Sequence, residues 1–306
     1  MKIKNALVIA ASFLVLSCST ETFHVNAPDT PMPEVVPQPL KVATWNTEHL
    51  ASPSLSGCKP RQPSELDAMK RYAKSLDADI IALQEVASKE AIAAIFPAQE
   101  WKVILSSRAD SPAYECRGSG YTSTQQKVAF VVKNTLPIGD VNDFEALALD
   151  MPGLRYGLAI TLDEPTGPVT LLNVHLKSGC FVDDYQTSDE RSCQVYGHQA
   201  AILENWIAQQ QSSHGRFIIM GDFNHRLSLP QNRFRHELLN MTPSPILVTD
   251  KMTGCHPRYP VPIDHIIVGG MPASAIASPP QVHLFDDMHE EAMLSDHCAV
   301  SFAISP

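Results

Sequence analysis

Positive charge is scarce in this sequence. Its 306 residues include 23 lysines and arginines against 33 aspartates and glutamates, which gives a formal net charge of −10. A protein that binds nucleic acid without sequence preference gains affinity from a basic surface that releases counterions. The composition therefore argues against a non-specific polyanion binder. It does not exclude a phosphodiester substrate whose charge is handled by a metal ion and a local cationic groove.

The N-terminus lacks an apolar run long enough to span a bilayer comfortably. Residues 6–16 are apolar, follow two lysines and have the length of a signal-peptide h-region. The run ends in Val15-Leu16-Ser17-Cys18, which resembles a bacterial lipobox. We expect Cys18 to be lipidated and to become the new N-terminus, with ordinary signal-peptidase cleavage nearby as the alternative. Ser19 stands where an aspartate would act as a retention signal, which indicates the outer membrane of a Gram-negative cell.

Prolines are concentrated directly after this segment. Five lie between residues 28 and 39, a density that disfavours helix and favours an extended tether. The sequence thus predicts a signal peptide at residues 1–17, a lipidated cysteine and tether at 18–39, and one folded domain at 40–306. The protein is expected to be exported and to contact the membrane only through its lipid anchor, facing the periplasm or the cell surface.

No C-x-x-C spacing occurs, which disfavours a cysteine metal cluster. The sequence has seven cysteines, and six remain once the lipobox Cys18 is set aside. An even set in an exported protein indicates three disulfides, for which fifteen pairings exist. Cys180 and Cys193 flank one polar loop and form the expected pair. The pairs Cys58–Cys116 and Cys255–Cys298 are one choice among those that remain.

Helical and strand patterns alternate along the chain without an internal repeat. Several strands between residues 101 and 162 follow one another without a helix, which favours a two-layered sandwich flanked by helices over a wholly parallel sheet. The first helix is expected to open at Ser64 as its cap. A later one, over residues 194–210, carries Val195, His198, Ile202 and Trp206 at helical spacing.

The segment from Phe217 to Asn224 has the most informative pattern. Four apolar residues precede Gly221-Asp222-Phe223-Asn224, and such a run predicts a strand buried on both faces. Side chains alternate along a strand, so Asp222 and Asn224 should project to the same side. Polar groups at the end of a buried strand indicate either a site or an ordinary turn.

Other apolar segments end in a similar way. A polar residue of similar chemistry stands at an end of each segment, and these residues are Asn46, Glu85, His175, Asp264, Asp296 and His297. Each alone has an ordinary structural explanation, such as a turn, a helix cap, a salt bridge or a satisfied core histidine. Together at strand ends, they indicate one site.

These segments resemble a known series of motifs. They are Thr44-Trp45-Asn46, Leu83-Gln84-Glu85, Asn173-Val174-His175-Leu176, Gly221-Asp222-Phe223-Asn224, Ile263-Asp264-His265-Ile266 and Ser295-Asp296-His297. In this order they are similar to the six motifs of the endonuclease/exonuclease/phosphatase superfamily. That group includes pancreatic-type deoxyribonuclease, abasic-site endonuclease, neutral sphingomyelinases and inositol polyphosphate 5-phosphatases. The resemblance extends over residues 41–304.

The resemblance implies an α+β fold, the DNase I-like four-layer α/β/β/α sandwich, and roles for the motif residues. Glu85 and Asn46 would bind Mg²⁺, with Mn²⁺ or Ca²⁺ as alternatives, and hard oxygen ligands suit such cations. Asp222 would orient or deprotonate the attacking water, and Asn224 would hold a phosphate oxygen. Two catalytic carboxylate–imidazole pairs are expected, Asp296 with His297 and Asp264 with His175.

Three cations near these motifs are candidates for contacting the substrate phosphate. Arg155 resembles an arginine of the nuclease branch, while Lys177 and Arg226 each lie two residues beyond a motif residue. The alternative for each is a solvated surface charge. The deoxyribonuclease branch has a supporting glutamate where this sequence offers Gln126, a departure that weakens close kinship with that enzyme.

The motifs specify the reaction but not the substrate. An exported endonuclease that cleaves DNA or RNA is the first hypothesis, for a protein expected to be a monomer. A phosphatase or sphingomyelinase-like phosphodiesterase is the second, although no Trp-Phe or Phe-Trp pair supplies the exposed aromatic hairpin of bacterial sphingomyelinases. A non-catalytic tethered binding module would not need the whole motif set.

Overall fold

The described residues form fourteen strands and four helices. The computed structural model describes residues 38–116, 118–123, 125–164, 166–257 and 260–305, so the predicted signal peptide, Cys18 and nearly all of the tether lie outside it. The strands are β1 (Leu40–Leu50), β2 (Ile80–Val86), β3 (Trp101–Leu105), β4 (Tyr114–Glu115), β5 (Thr122–Ser123), β6 (Lys127–Lys133), β7 (Val141–Phe144), β8 (Gly157–Glu164), β9 (Gly167–His175), β10 (Arg216–Asp222), β11 (Ile246–Leu247), β12 (Asp264–Gly269), β13 (Ile276–Val282) and β14 (Val300–Ile304). The helices are α1 (Pro63–Ser75), α2 (Lys89–Ala93), α3 (Arg191–Ser212) and α4 (Arg233–Leu239), with 3₁₀ turns at Glu145–Ala148, Tyr185–Thr187 and Ala273–Ala275.

Two six-stranded mixed sheets contain most of the strands. The first has the order β13-β14-β1-β2-β6-β3, the second has the order β11-β12-β10-β9-β8-β7, and β4 and β5 form a small separate hairpin. Strands β1 and β2 pair in parallel, as do β9 and β10. The remaining pairs between described strands are antiparallel.

The sheets pack face to face, and helices cover their outer faces. Strand β10 shows how the sequence directs this arrangement. Its Ile218 and Met220 enter the apolar layer between the sheets, while Phe217 and Ile219 enter the layer beneath α3 and α4. A third layer packs α1 and α2 onto the first sheet. The continuous apolar run is therefore buried on both faces, and the predicted α+β four-layer sandwich is confirmed.

Two helix details differ from the sequence prediction. Helix α1 begins at Pro63 after Gln62, whose backbone N–H donates to the Glu65 carboxylate at 2.7 Å, so Ser64 is not the cap. On α3 the inward stripe is Tyr196, Ala200, Leu203 and Ile207, whereas His198 is exposed. Of the predicted set, Val195 is buried and Ile202 and Trp206 pack against the core at the border of this stripe, so only His198 departs from the pattern.

Strands β4, β5, β7, β11 and β13 were not predicted. Strand β13 contains Pro279 and Pro280, which lack the N–H group that a central strand must donate. The two prolines are tolerated because β13 lies at the edge of its sheet, where one side of the strand needs no hydrogen-bond partner.

Three disulfides join the six cysteines in the pairs Cys58–Cys116, Cys180–Cys193 and Cys255–Cys298. The first connects the loop after β1 to the β4–β5 hairpin, and the third attaches a loop before β12 to the residue that follows His297. Within the described part of the chain, no helix combines the length and apolar character needed to cross a membrane.

A buried amide pair connects the sheets directly beneath the motif residues. The Gln84 side-chain amide donates to Asn173 Oδ1 at 2.7 Å. The Asn173 amide donates in turn to the carbonyls of Leu83 at 3.0 Å and Ala129 at 2.8 Å. Both side chains are fully buried, and a satisfied polar network of this kind fixes the relative position of the sheets. Glu85 and His175 lie immediately beyond it.

Candidate active site

The motif residues meet at one edge of the sandwich. Because β9 and β10 are parallel, their C-terminal residues His175 and Asp222 lie in register. Strand β12 runs antiparallel to β10, so its first residue, Asp264, pairs with Asp222 from the other side. In the facing sheet, β1 and β2 bring Asn46 and Glu85 to the same edge.

The Gly-Asp-Phe-Asn segment owes its shape to two backbone positions. Gly221 has φ 145°, and a Cβ atom there would lie 2.0 Å from the carbonyl oxygen of Val174, so only glycine lets β10 approach β9 so closely. Asn224 has φ 52°, a left-handed conformation that asparagine tolerates. Its backbone N–H donates to Asp222 Oδ1 at 2.7 Å. The two side chains do meet, but through this turn and not through strand alternation.

Asp222 is the centre of the site. Its Oδ2 atom accepts hydrogen bonds from the side-chain amides of Asn46 at 3.0 Å and Asn224 at 3.1 Å. The same oxygen lies 3.4 Å from His175 Nε2 and 3.9 Å from His297 Nε2. Burial raises the pKa of Asp222 to about 7, an effect that the positive charge of His297 opposes and the carboxylate of Asp264 reinforces. A carboxylate with these neighbours is suited to accept a proton near neutral pH.

The expected carboxylate–imidazole pairs were wrong. His297 Nδ1 bonds to Asp264 Oδ2 at 2.7 Å, while the Asp296 carboxylate lies 3.8 Å from Nε2 and its side chain is 54% exposed. Asp296 and His297 lie in a bend before β14 that leaves the Asp296 side chain facing solvent, and the Asp296 backbone N–H donates to Glu48 Oε2. Burial lowers the pKa of His297, but the Asp264 and Asp222 carboxylates outweigh burial and raise that pKa well above its usual value.

His175 lies beside Asp222 instead of Asp264. Its Nε2 atom faces Asp222 and lies 3.8 Å from Glu85 Oε1, while Nδ1 is buried without a hydrogen-bond partner among the described residues. Burial, together with the nearby charge of Arg155, lowers the pKa of His175 well below its usual value. A neutral imidazole with its proton on Nε2 can donate towards these carboxylates.

The oxygen atoms of Glu85 and Asn46 suit a hard divalent cation. Glu85 has φ 59°, which turns its carboxylate into the site, and its Oε2 accepts a 3.2 Å bond from the backbone N–H of His49. Asn46 Oδ1 accepts from the Glu48 N–H at 3.0 Å and keeps a second lone pair. With Asp222 and Asp264 close by, a cation would relieve the accumulated negative charge.

A second group of ligand atoms belongs to Asp222, Asp264 and His297, which lie within 4.8 Å of one another. The Nδ1 atom of His297 already bonds to Asp264, and two amides already bond to Asp222 Oδ2. The ligand atoms of Asp222 and His297 are therefore already engaged with protein groups, whereas Glu85 and Asn46 keep oxygen lone pairs of the kind that suits a divalent cation.

The three candidate cations all have protein partners. Buried Arg155 donates to the carbonyl of Leu176 at 2.8 Å, a carbonyl that also accepts from the Asn224 amide at 3.1 Å. Lys177 Nζ donates to Ser178 O at 2.6 Å. Arg226 binds Asp183 Oδ1 at 2.7 Å. Arg155 thus lies behind the motif residues, and Arg226 holds a neighbouring loop.

Sequence reasoning missed His49 and Glu48. Both have left-handed backbone conformations at an irregularity near the end of β1, and the buried Arg61 side chain donates to the carbonyls of Thr47 and Glu48 at 3.0 and 2.9 Å. This arrangement places His49 Nε2 3.5 Å from Glu85 Oε2, with the Gln126 amide 3.3 Å from the His49 ring. The available signal was the polar run that continues beyond Asn46.

A cavity of about 530 Å³ adjoins the site. Four motif residues line one wall of this cavity, namely Asn224, Asp264, Asp296 and His297. Val261, Pro262, Val282 and the Cys255–Cys298 disulfide are among the residues of its apolar wall, and Phe181 lies at its rim.

Comparison with known proteins agrees with this geometry. The sequence pattern of the Endonuclease/Exonuclease/phosphatase family matches residues 43–297. The chain belongs to this family. Members of the Endonuclease/Exonuclease/phosphatase family are in general phosphoric ester hydrolases and usually use divalent metal ions.

Solved structures share the fold at low sequence identity. An endonuclease/exonuclease/phosphatase from Bacteroides vulgatus has 16% identity and a TM-score of 0.61, over 88% of this chain and 99% of that one. The 3′ phosphatase NExo from Neisseria, bound to a product DNA hairpin, has 19% identity and a TM-score of 0.59, over 87% and 99%. The human Nocturnin catalytic domain with bound sulfate has 14% identity and a TM-score of 0.59, over 87% and 93%. None of the curated proteins compared with this chain matches it.

Proposed function

We propose that this protein is an exported, divalent-metal-dependent phosphodiesterase that acts as an endonuclease on DNA or RNA. The observation that carries the proposal is the environment of Asp222, whose carboxylate lies among two amides and two imidazoles and faces the Glu85 side of the site. Family membership supports the reaction class. The structural likeness to a phosphatase bound to DNA supports a nucleic acid substrate.

In the proposed reaction, the oxygen of a water molecule attacks phosphorus, the bond to the leaving oxygen breaks, and the leaving oxygen takes a proton from solvent to become the product hydroxyl. Asp222 accepts the proton of the attacking water, while Asn46 and Asn224 hold its carboxylate in place. His297, kept protonated by Asp264, donates from Nε2 to a phosphoryl oxygen and stabilises its growing negative charge. Neutral His175 keeps Asp222 in position. Glu85 and Asn46 would hold a divalent cation such as Mg²⁺, which would supply further neutralisation of negative charge in the transition state.

The experiment that tests this function is a substrate panel with the mature domain. Plasmid DNA, RNA, bis-p-nitrophenyl phosphate, a phosphomonoester and sphingomyelin vesicles are incubated with Mg²⁺ or with EDTA. We expect hydrolysis of nucleic acid and of bis-p-nitrophenyl phosphate with Mg²⁺ and none with EDTA. Cleavage of only the monoester or only sphingomyelin would replace the nuclease with the phosphatase or lipid phosphodiesterase alternative. If no substrate is cleaved at any metal concentration, the proposal that this protein is an enzyme is contradicted.

We further propose that Cys18 anchors the protein to the outer membrane through a lipid. The lipobox-like sequence and the proline-rich tether support this location, and three disulfides suit an oxidising compartment. Radioactive palmitate should label the full-length protein expressed in a Gram-negative host, and Cys18→Ala should remove the label. Equal labelling of both proteins would rule out the anchor at this residue.

A further inference from the structure

Phe181 combines an exposed ring with a fixed backbone. The residue is 84% exposed, the largest exposure among the large apolar residues of the described chain. Yet the preceding residue is held by the Cys180–Cys193 disulfide, and the Phe181 carbonyl accepts a 2.9 Å bond from Arg226. The ring therefore adds little to folding, while the backbone that carries it is fixed beside the site.

The surrounding loop is fixed to the catalytic turn. Arg226, two residues after Asn224, also binds Asp183 Oδ1 at 2.7 Å. The Asp183 carbonyl accepts from the backbone N–H of Arg233 at 2.9 Å, and its Oδ2 accepts from Gln231 at 2.9 Å. The distance between Phe181 and the motif residues is thus maintained by a disulfide and several hydrogen bonds.

The cavity at whose rim Phe181 lies is continuous with the catalytic residues. One wall is formed by Asn224, Asp264 and His297, and the apolar wall contains Val261 and Pro262. Its volume of about 530 Å³ is in the range of small-molecule sites. A phosphodiester carries an organic group on each of its two ester oxygens. If its phosphate is held at His297, one of these groups faces the cavity.

We propose that this cavity binds a nucleobase next to the scissile phosphate, with the Phe181 ring as the stacking surface. The inference rests on the proposed nuclease function and adds a specific subsite to it. The ligand is a flat, uncharged aromatic ring linked through a sugar to the phosphate. Base stacking on an aromatic side chain tolerates any sequence, because every base has a π face.

The negative charge of the protein favours a ligand that binds through its base over one that binds mainly through its phosphate backbone. With a net charge of −10, the chain gains little from counterion release, and Arg226 at the cavity is already paired with Asp183. Stacking supplies binding free energy that does not require positive charge.

A lipid chain fits the cavity less well. Of the exposed large apolar residues in the described chain, Phe181 alone lines this cavity. A surface that enters a bilayer would present a group of such residues together.

Three dinucleotides test the proposal, since each has one phosphodiester bond. They are the thymidine dinucleotide TpT and two analogues in which either the 5′ or the 3′ base is replaced by hydrogen. Phe181→Ala should lower kcat/KM for TpT about tenfold, the effect of one lost base–aromatic contact. For one analogue, the one lacking the base that occupies the cavity, Phe181→Ala and the unmodified protein should have equal kcat/KM.

Two matched variants serve as controls. Phe181→Tyr keeps the ring and should retain activity on TpT within about twofold, an allowance for its added hydroxyl. Leu284→Ala removes another exposed apolar side chain, 61% exposed and outside the cavity, and should leave all three dinucleotides unaffected. Because Phe181 is exposed, melting temperatures of its variants should match that of the unmodified protein.

The outcomes separate this inference from the proposed function. An equal effect of Phe181→Ala on all three dinucleotides, or no effect on any, overturns the base subsite. So does a Phe181→Ala loss seen with sphingomyelin vesicles but not with TpT. If bis-p-nitrophenyl phosphate is hydrolysed but no dinucleotide is cleaved, the phosphodiesterase activity stands and the base subsite is refuted. Failure on every substrate refutes the proposed function itself.

Discussion

Replacing Asp264 with asparagine removes one negative charge and preserves the size of the side chain, so it tests the His297–Asp264 pair directly. The 2.7 Å bond between Asp264 Oδ2 and His297 Nδ1 fixes the imidazole tautomer and keeps Nε2 pointed at the site. Asparagine can instead present its N–H₂ group to Nδ1, which favours the wrong tautomer. Asp296→Asn makes the same chemical change beside the same histidine and is the matched control.

The structure predicts very different magnitudes for the two variants. Both members of the His297–Asp264 pair are 12% exposed in their side chains, so solvent does little to replace the lost interaction. Loss of a general acid–base or orienting group typically costs 10²–10⁴-fold in rate, or about 3–5 kcal/mol. Asp296 is 54% exposed and 3.8 Å from Nε2, a geometry worth at most about 1 kcal/mol, or roughly fivefold.

The measurement is kcat for bis-p-nitrophenyl phosphate at saturating Mg²⁺, with the melting temperature recorded for each variant. The pairing inferred from the structure predicts that Asp264→Asn loses at least tenfold more activity than Asp296→Asn while both remain folded. If Asp296→Asn instead loses as much activity as Asp264→Asn, or more, the argument from distance and exposure is wrong.

Two further predictions concern stability. Burial, together with a hydrogen bond to Glu237 and its negative charge, raises the pKa of Glu204 to about 7. The cost of ionising Glu204 in the folded state is therefore absent below its unfolded pKa of about 4.5, grows between pH 4.5 and 7, and is constant above pH 7. Because Glu204 is only partly buried, Glu204→Gln should raise the free energy of unfolding by about 1 kcal/mol at pH 8, or the melting temperature by roughly 2 °C. At pH 4 the substitution should have no effect. An equal gain in stability at both pH values would contradict this reasoning. At a concentration 100 times its dissociation constant, Mg²⁺ should stabilise the unmodified protein by about 2.7 kcal/mol in thermal unfolding, and Glu85→Gln should lose most of this stabilisation. Equal Mg²⁺ stabilisation of both proteins would argue against Glu85 as a metal ligand.

Patterns that depend on local sequence were sufficient for much of the fold. The apolar run before Asp222 had to be buried on both sides, which requires a layer on each face of its sheet. Edge strand β13 was missed because Pro279 and Pro280 mask its strand character, and only its position at the sheet edge makes them acceptable. On α3 the helical period marked Val195, Ile202 and Trp206, which contact the core, but it also marked His198, which tertiary packing leaves exposed.

The sequence by itself determined which residues carry the chemistry, because polar side chains at the ends of buried strands are costly unless they form a site. Only the tertiary structure decided which of them act together. His297 pairs with Asp264 across 33 residues, although Asp296 is its neighbour in the chain. The bend at Asp296 leaves its side chain exposed to solvent, whereas the antiparallel pairing of β12 with β10 brings Asp264 to the site. The position of Phe181 beside the catalytic residues was decided in the same way, by a disulfide and by the contacts of Arg226.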